Sequence, residues 1–267
     1  MHTKTRLAGR IAAKQAGGRV TILKGDPLKL VLVDDYTALS HAGADLIVTL
    51  VATKPTAAIC VATGDTPMGV YRELAERRAR GSIDCAQVRA FQLDAYRGLA
   101  PEDRRSLIGW MQRSFNDPLA IPEANVVRLP GDAPDPLAAC AEYVAAVQAA
   151  GGFDLSILGL GPNGHLGFNE PPCTADAPTR VIDLTEESIV SNARYWGGRD
   201  QVPLQALTCG MDLLLAARQT LLVVSGAHKH GILRRTIEGP PSPDVPASWL
   251  QLAQNVTVIA DRAAWDG

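Results

Sequence analysis

Seven short apolar runs, separated by polar turns and segments of helical period, limit what this chain can fold into. They are KLVLV (29–33), AAICVA (57–62), VRAFQL (88–93), NVVRL (125–129), FDLSILGL (153–160), QTLLVVS (219–225) and NVTVIA (255–260). Their length and β-branched content suit strands buried on both faces of a mostly parallel sheet. Between them, Asp34 or Asp35 precedes a segment with Leu39, Ala42, Leu46 and Leu50 on one helical face. Pro67 stands at a first helical position behind Thr66, and LAACAEYVAAVQAAGG closes on glycine. Strand, loop and helix in alternation predict an α/β fold: an open, doubly wound (Rossmann-like), mostly parallel sheet with helices on both faces, in one domain. That domain covers 29–267. Its segment 171–203, rich in Pro, Gly and charge and poor in clear periodicity, reads as an excursion or lid.

Composition narrows the function. A formal charge of -2 and 5% aromatic residues supply neither the basic face nor the stacking platforms of a nucleic-acid binder, whereas a small anion needs only a local set of donors. No stretch approaches the ~20 apolar residues of a membrane span. The five cysteines are odd in number and form no C-x-x-C pair, which argues against a disulfide framework or thiolate zinc site and for a reducing cytoplasm. Residues 1–28 open with a basic stretch free of acids and without a continuous apolar core. They read as a soluble extension, with a targeting segment as the other reading.

In such a fold, ligands meet the loops after the strands. Thr63-Gly64-Asp65-Thr66-Pro67 follows AAICVA; it suits an anion at a helix N-terminus, or else Thr66 is simply the cap. Asp94 follows VRAFQL, either as a carboxylate whose proton affinity is raised in an apolar-walled cleft or as a turn cap. The segment PEDRRSLIGWM reads as a capped helix, with Trp110 in the core. After FDLSILGL, Gly159, Gly161 and Gly164 spell G-x-G-x-x-G. However, Pro171-Pro172 stops any long helix, and the motif sits after the fifth strand, so a dinucleotide site ranks low. His165 and Glu170 in the same loop fit better as a histidine oriented by a carboxylate, or as a bracing hydrogen bond. Arg194 and Lys229 are cations that could complete an anion site, or solvated charges. His41, His228 and His230 lack companions that would make a metal site.

Taken together, TGDTPMGVY, FQLDAYRGL with the later Ser106 helix, GLGPNGHLGFNEP, and ALTCGMDLLL with SGAHK resemble, in order and spacing, the signature segments of the glucosamine-6-phosphate deaminase/isomerase family. The resemblance covers about 29–260. The superfamily also holds 6-phosphogluconolactonase, whose Gly-His loop does not normally continue as FNEP. The resemblance implies conversion of glucosamine 6-phosphate and water to fructose 6-phosphate and ammonia, with no metal or organic cofactor. It implies Asp94 as the base between C2 and C1, and His165, held by Glu170, as the ring-opening residue. Asn163 stands where some members carry Asp and others Asn. The sugar phosphate would lie on Thr63 to Thr66, with Arg194 and Lys229 as counter-charges. The sequence leaves a homo-oligomer open.

Two positions depart from the family pattern. Asp65 replaces the usual Gly or Ser, and a carboxylate about 5 Å from a phosphate charge costs roughly 3 kcal/mol at an effective dielectric near 20. Either Asp65 turns away to cap or pair elsewhere, or the ligand differs. Ala95 replaces the usual Glu after the base. The chain also ends soon after NVTVIADRAA, whereas longer deaminases use an extended tail in allosteric activation by N-acetylglucosamine 6-phosphate, so regulation of that kind is expected to be absent or altered. A lactonase and a sugar-phosphate sensor without turnover stand as the alternatives.

Overall fold

The computed structural model describes residues 10–15, 18–24 and 28–267. The rest of the N-terminal extension expected at 1–28 lies outside the described residues. The twelve strands are β1 (Arg10–Gln15), β2 (Gly18–Lys24), β3 (Leu28–Val33), β4 (Ala58–Val61), β5 (Arg89–Gln92), β6 (Asp94–Tyr96), β7 (Val126–Val127), β8 (Leu155–Gly159), β9 (Arg180–Asp183), β10 (Gln205–Thr208), β11 (Thr220–Val224) and β12 (Val256–Asp261).

Each of the seven apolar runs forms a strand of one sheet, in the order β3-β12-β11-β8-β4-β5-β7, and every pair along that row is parallel. β2 extends it antiparallel to β3, and β1 pairs with β2. Side chains alternate between two cores because successive residues of a strand point to opposite faces. Leu28, Leu30 and Leu32 join Leu222, Val224 and Val258 on one face; Val31 and Val33 join Leu221, Val223 and Ile259 on the other. Helices Tyr36–Thr53 and Met68–Ala79 cover the second face, and Pro136–Ala149 and His230–Glu238 cover the first. The expected doubly wound α/β sheet is therefore present. No helix of the described residues is long and apolar enough to cross a membrane.

Caps explain where several helices begin. Asp35 accepts a hydrogen bond from the Ala38 amide at 2.8 Å, and Asp135 serves Leu137 and Ala138 in the same way. The segment read as a helix from Pro101 begins only at Leu107, where Ser106 is the cap. It continues as a π-turn over Gln112–Asn116.

A second, three-stranded antiparallel sheet, β6-β10-β9, stands beside the first. The stretch 171–203, read as an excursion or lid with poor periodicity, contributes β9 and a helix, Glu186–Trp196, to this unit. Thr185 caps that helix, Glu186 and Glu187 sit in its first turn, and Gly197 ends it in the left-handed region. Its apolar side is short: Ile189 and Trp196 pack with Tyr96, Phe168 and Ala206 in a small separate cluster.

Candidate active site

Strand order opens the site. After β4 the chain moves toward β5 and β7; after β8, the neighbour of β4, it moves toward β11 and β12. The loops leaving these two carboxyl ends therefore diverge and leave a crevice. A cleft of about 520 Å³ lies there, lined by Thr63, Gly64, Asp65 and Thr66 on one side and by Asp94, His165, Arg194 and Lys229 around the rest. Asn163 and Glu170 do not line it; they stand behind His165.

The loop after β4 turns at Gly64, whose φ of 112° favours glycine. The Tyr36 hydroxyl holds its backbone, donating toward the Asp65 and Thr66 carbonyls (3.1 and 3.0 Å) and accepting from the Gly69 amide (2.8 Å). The helix beyond begins at Met68 with no side-chain cap, so Thr66 is not the cap that one reading of the sequence made it.

Asp94 opens β6, separated from the end of β5 by the single residue Leu93. The Gln92 amide fixes that step by donating to the Asp94 carbonyl (2.7 Å) and accepting from the Leu129 amide (3.0 Å). Only 8% exposed, the Asp94 carboxyl is pushed up to about 7 by burial. It carries a proton below neutrality and is a base above it. Behind the strand, Ala95 borders a cavity of about 230 Å³ shared with Ser106 and Arg128, on the side where the family's usual Glu would project.

His165 is braced from two directions. Its Nδ1 lies 3.2 Å from Glu170 Oε2 and 3.2 Å from Ser188 Oγ, and its backbone N–H donates to Asn163 Oδ1. Glu170 Oε2 also accepts from Asn163 Nδ2 (2.9 Å) and the Thr185 hydroxyl (3.1 Å). Burial pushes the Glu170 carboxyl up, but the bond and charge of His165, with help from Ser188 and Asn163, outweigh it and leave the group below its usual range. One glycine of the motif makes room for this ring: a Cβ on Gly161 would meet the His165 imidazole at 2.2 Å. No helix follows the motif; the chain runs through turns to β9, an arrangement unlike a dinucleotide site.

Lys229 Nζ donates to the Leu160 carbonyl at 2.7 Å, and burial followed by the nearby charge of Arg194 brings its ammonium down to about 8. Two cations that repel each other across one cleft are a ready place for an anion. Asp65 does not turn away from the cleft: it lines it and pairs with Arg194, one of the two candidate counter-charges, at 3.1 Å.

The geometry agrees with the comparisons to known proteins. A family model described as glucosamine-6-phosphate isomerases/6-phosphogluconolactonase matches residues 34–259. The chain belongs to this family. A glucosamine-6-phosphate deaminase from Halothermothrix orenii is 39% identical over 237 residues, which cover 89% of this chain and 98% of that protein. One from Corynebacterium aurimucosum is 40% identical over 223 residues, 84% of this chain and 87% of its own. The solved structure of a monomeric glucosamine-6-phosphate deaminase overlays with a TM-score of 0.86 at 35% identity, covering 88% of this chain and 98% of that one. The 6-phosphogluconolactonase of Trypanosoma brucei overlays at 0.70 with 19% identity, covering 88% and 96%, and thus shares the fold.

Some residues of this family member's cleft escaped sequence reasoning. Trp110, expected in the core, lines the cleft, donates to Met68 Sδ at 3.1 Å and meets the Tyr195 ring edge-on at 5.3 Å. Arg104, Arg105 and Arg113 also line it, with Arg105 held by Asp103 at 2.7 Å and lying over the Trp196 ring. Ser188 and Thr185 join the His165 network from the lid helix. Thr185 announces itself as a cap before two glutamates, but nothing in its spacing points to Glu170.

Proposed function

We propose that this chain deaminates and isomerises glucosamine 6-phosphate, producing fructose 6-phosphate and ammonia. The observation that carries the reading is the approach of a desolvated carboxyl, Asp94, and a braced imidazole, His165, to one cleft that Arg194 and Lys229 also line. The phosphate takes the Thr63–Thr66 loop with Arg194 and Lys229. His165 moves the ring-opening proton from the C1 hydroxyl to the ring oxygen, while Glu170 and Asn163 hold its orientation. Asp94, ionised, takes the C2 proton of the open-chain sugar and returns it to C1 through an enolamine. The resulting C2 imine adds water and releases ammonia. Five free cysteines and a small soluble substrate suit the cytoplasm.

The test is incubation of the purified protein with glucosamine 6-phosphate, following fructose 6-phosphate and ammonia. Equimolar appearance of the two is expected. No product, together with hydrolysis of 6-phosphogluconolactone, overturns the reading in favour of the lactonase branch.

A further inference from the structure

Where an anion is to bind, the loop after β4 already carries one. Asp65 Oδ2 lies 3.1 Å from Arg194 Nη2, and the two side chains are 60% and 62% exposed. Arg194 also donates to the Tyr195 hydroxyl at 2.7 Å and lies over that ring at 4.7 Å. Burial and then the neighbouring Asp65 push the Tyr195 phenol up to about 12, so it stays a neutral hydroxyl beside the pair. Lys229 is held differently, on the Leu160 carbonyl. Of the two cations facing the loop, Arg194 is thus the one neutralised by a carboxylate. With its backbone tied to Tyr36, Asp65 can release Arg194 only by turning its own side chain.

We propose that Asp65 is a specificity-determining residue: its carboxylate occupies Arg194 in the ligand-free protein and competes with the ligand's phosphate for that guanidinium, so that binding is an exchange of partners at Arg194. This rests on the sugar-phosphate reading of the site given above. A phosphate dianion wins the exchange because it carries a second negative charge and meets Lys229 at the same time. It wins by less than it would against an unoccupied arginine, and the displaced carboxylate remains close enough to repel it. Asp65 therefore lowers the site's preference for a dianion over an uncharged or singly charged group and raises KM for the phosphorylated sugar. It also ties the lid helix Glu186–Trp196 to the phosphate loop before any ligand arrives.

A cycle of Asp65→Asn, Arg194→Ala and the double variant tests this, with inorganic phosphate binding measured by calorimetry and KM measured for glucosamine 6-phosphate. Asp65→Asn keeps the shape of an exposed side chain. It is expected to tighten phosphate roughly threefold to thirtyfold, the range spanned by an exposed ion pair plus relief of like-charge repulsion, and to lower KM in parallel. In the Arg194→Ala background the same change should keep only the direct-repulsion part, a gain at least about threefold smaller than in the parent. Unchanged or weaker phosphate binding in Asp65→Asn overturns the inference, as does an equal gain without Arg194, which would mean direct repulsion alone. Tighter phosphate binding in a protein that makes no fructose 6-phosphate leaves the inference standing and sinks the deaminase reading. Product formation with unmoved Kd and KM does the reverse.

Discussion

The large sheet and the small one differ in how they hold their place, and the candidate site straddles the two. The parallel sheet has helices on both faces and side chains committed to two extensive cores. The antiparallel unit β6-β10-β9 has strands of three or four residues and, with the helix Glu186–Trp196, a single small cluster. The His165 loop, the Thr63 loop and Lys229 leave the first; Asp94 and Arg194 belong to the second. In the proposed mechanism, the spacing of Asp94 and His165 is thus set by how the smaller unit docks on the larger. Polar contacts join them: Ser188 to His165, Thr185 to Glu170, and the Phe168 amide to the Thr208 hydroxyl at 3.1 Å.

The sharpest way to break this division of labour is Asp94→Asn. It should lower kcat by ~10²–10⁴-fold and abolish exchange of the C2 proton with solvent, and retained exchange would remove Asp94 from the role of base. The same variant tests the cost of holding the base in place. The folded carboxyl titrates at about 7, above its ordinary value, so the folded state binds its proton more tightly between pH ~4 and ~7 and loses stability as pH rises through that window. Asp94→Asn should be more stable than the parent by ~2–4 kcal/mol at pH 8 and equal to it at pH 4, as read by denaturant melts.

Next in size is a pair of core truncations. Leu222→Ala, in the large sheet, should cost ~2–5 kcal/mol of global stability. Ile189→Ala, in the small cluster, should leave the global melt within about 1 kcal/mol while lowering kcat/KM several-fold and speeding amide exchange in β9 and β10. Equal global losses would mean that the two units unfold as one. Smaller still, Ser188→Ala should lower kcat by about two- to tenfold with KM unmoved, the worth of one hydrogen bond on the His165 ring. The smallest effect is a rise in KM as pH passes about 8, where Lys229 loses its proton; Lys229→Arg should remove it.

The same contrast explains what could be read from the chain. Strands buried on both faces need near-continuous apolar runs, so the parallel sheet was written in the sequence strand by strand, and the loops at its carboxyl ends followed from the topology. The small sheet left no such trace. β6 follows the apolar run that ends at Leu93 after a break set by Gln92 hydrogen bonds, and a three-residue strand has no period to detect. The lid helix had its cap, its terminal glycine and a one-sided apolar face, but it is short and is flanked by Pro-, Gly- and charge-rich stretches that obscured it. Trp110 was misplaced because an aromatic beside apolar neighbours looks the same whether it faces a core or a cleft. Asp65 and Arg194 lie 129 positions apart in the chain, and their meeting depends on how the lid helix docks.

Tyr36 has a consequence for how this site meets its ligand. One hydroxyl, rooted in the first long helix, touches two carbonyls of the loop after β4 and the Gly69 amide in the first turn of the helix beyond it. That loop has therefore surrendered its freedom during folding, and a ligand arriving there finds donors already aimed. Little configurational entropy is left to lose on encounter, and any slowness in binding must come from the side chains at the rim.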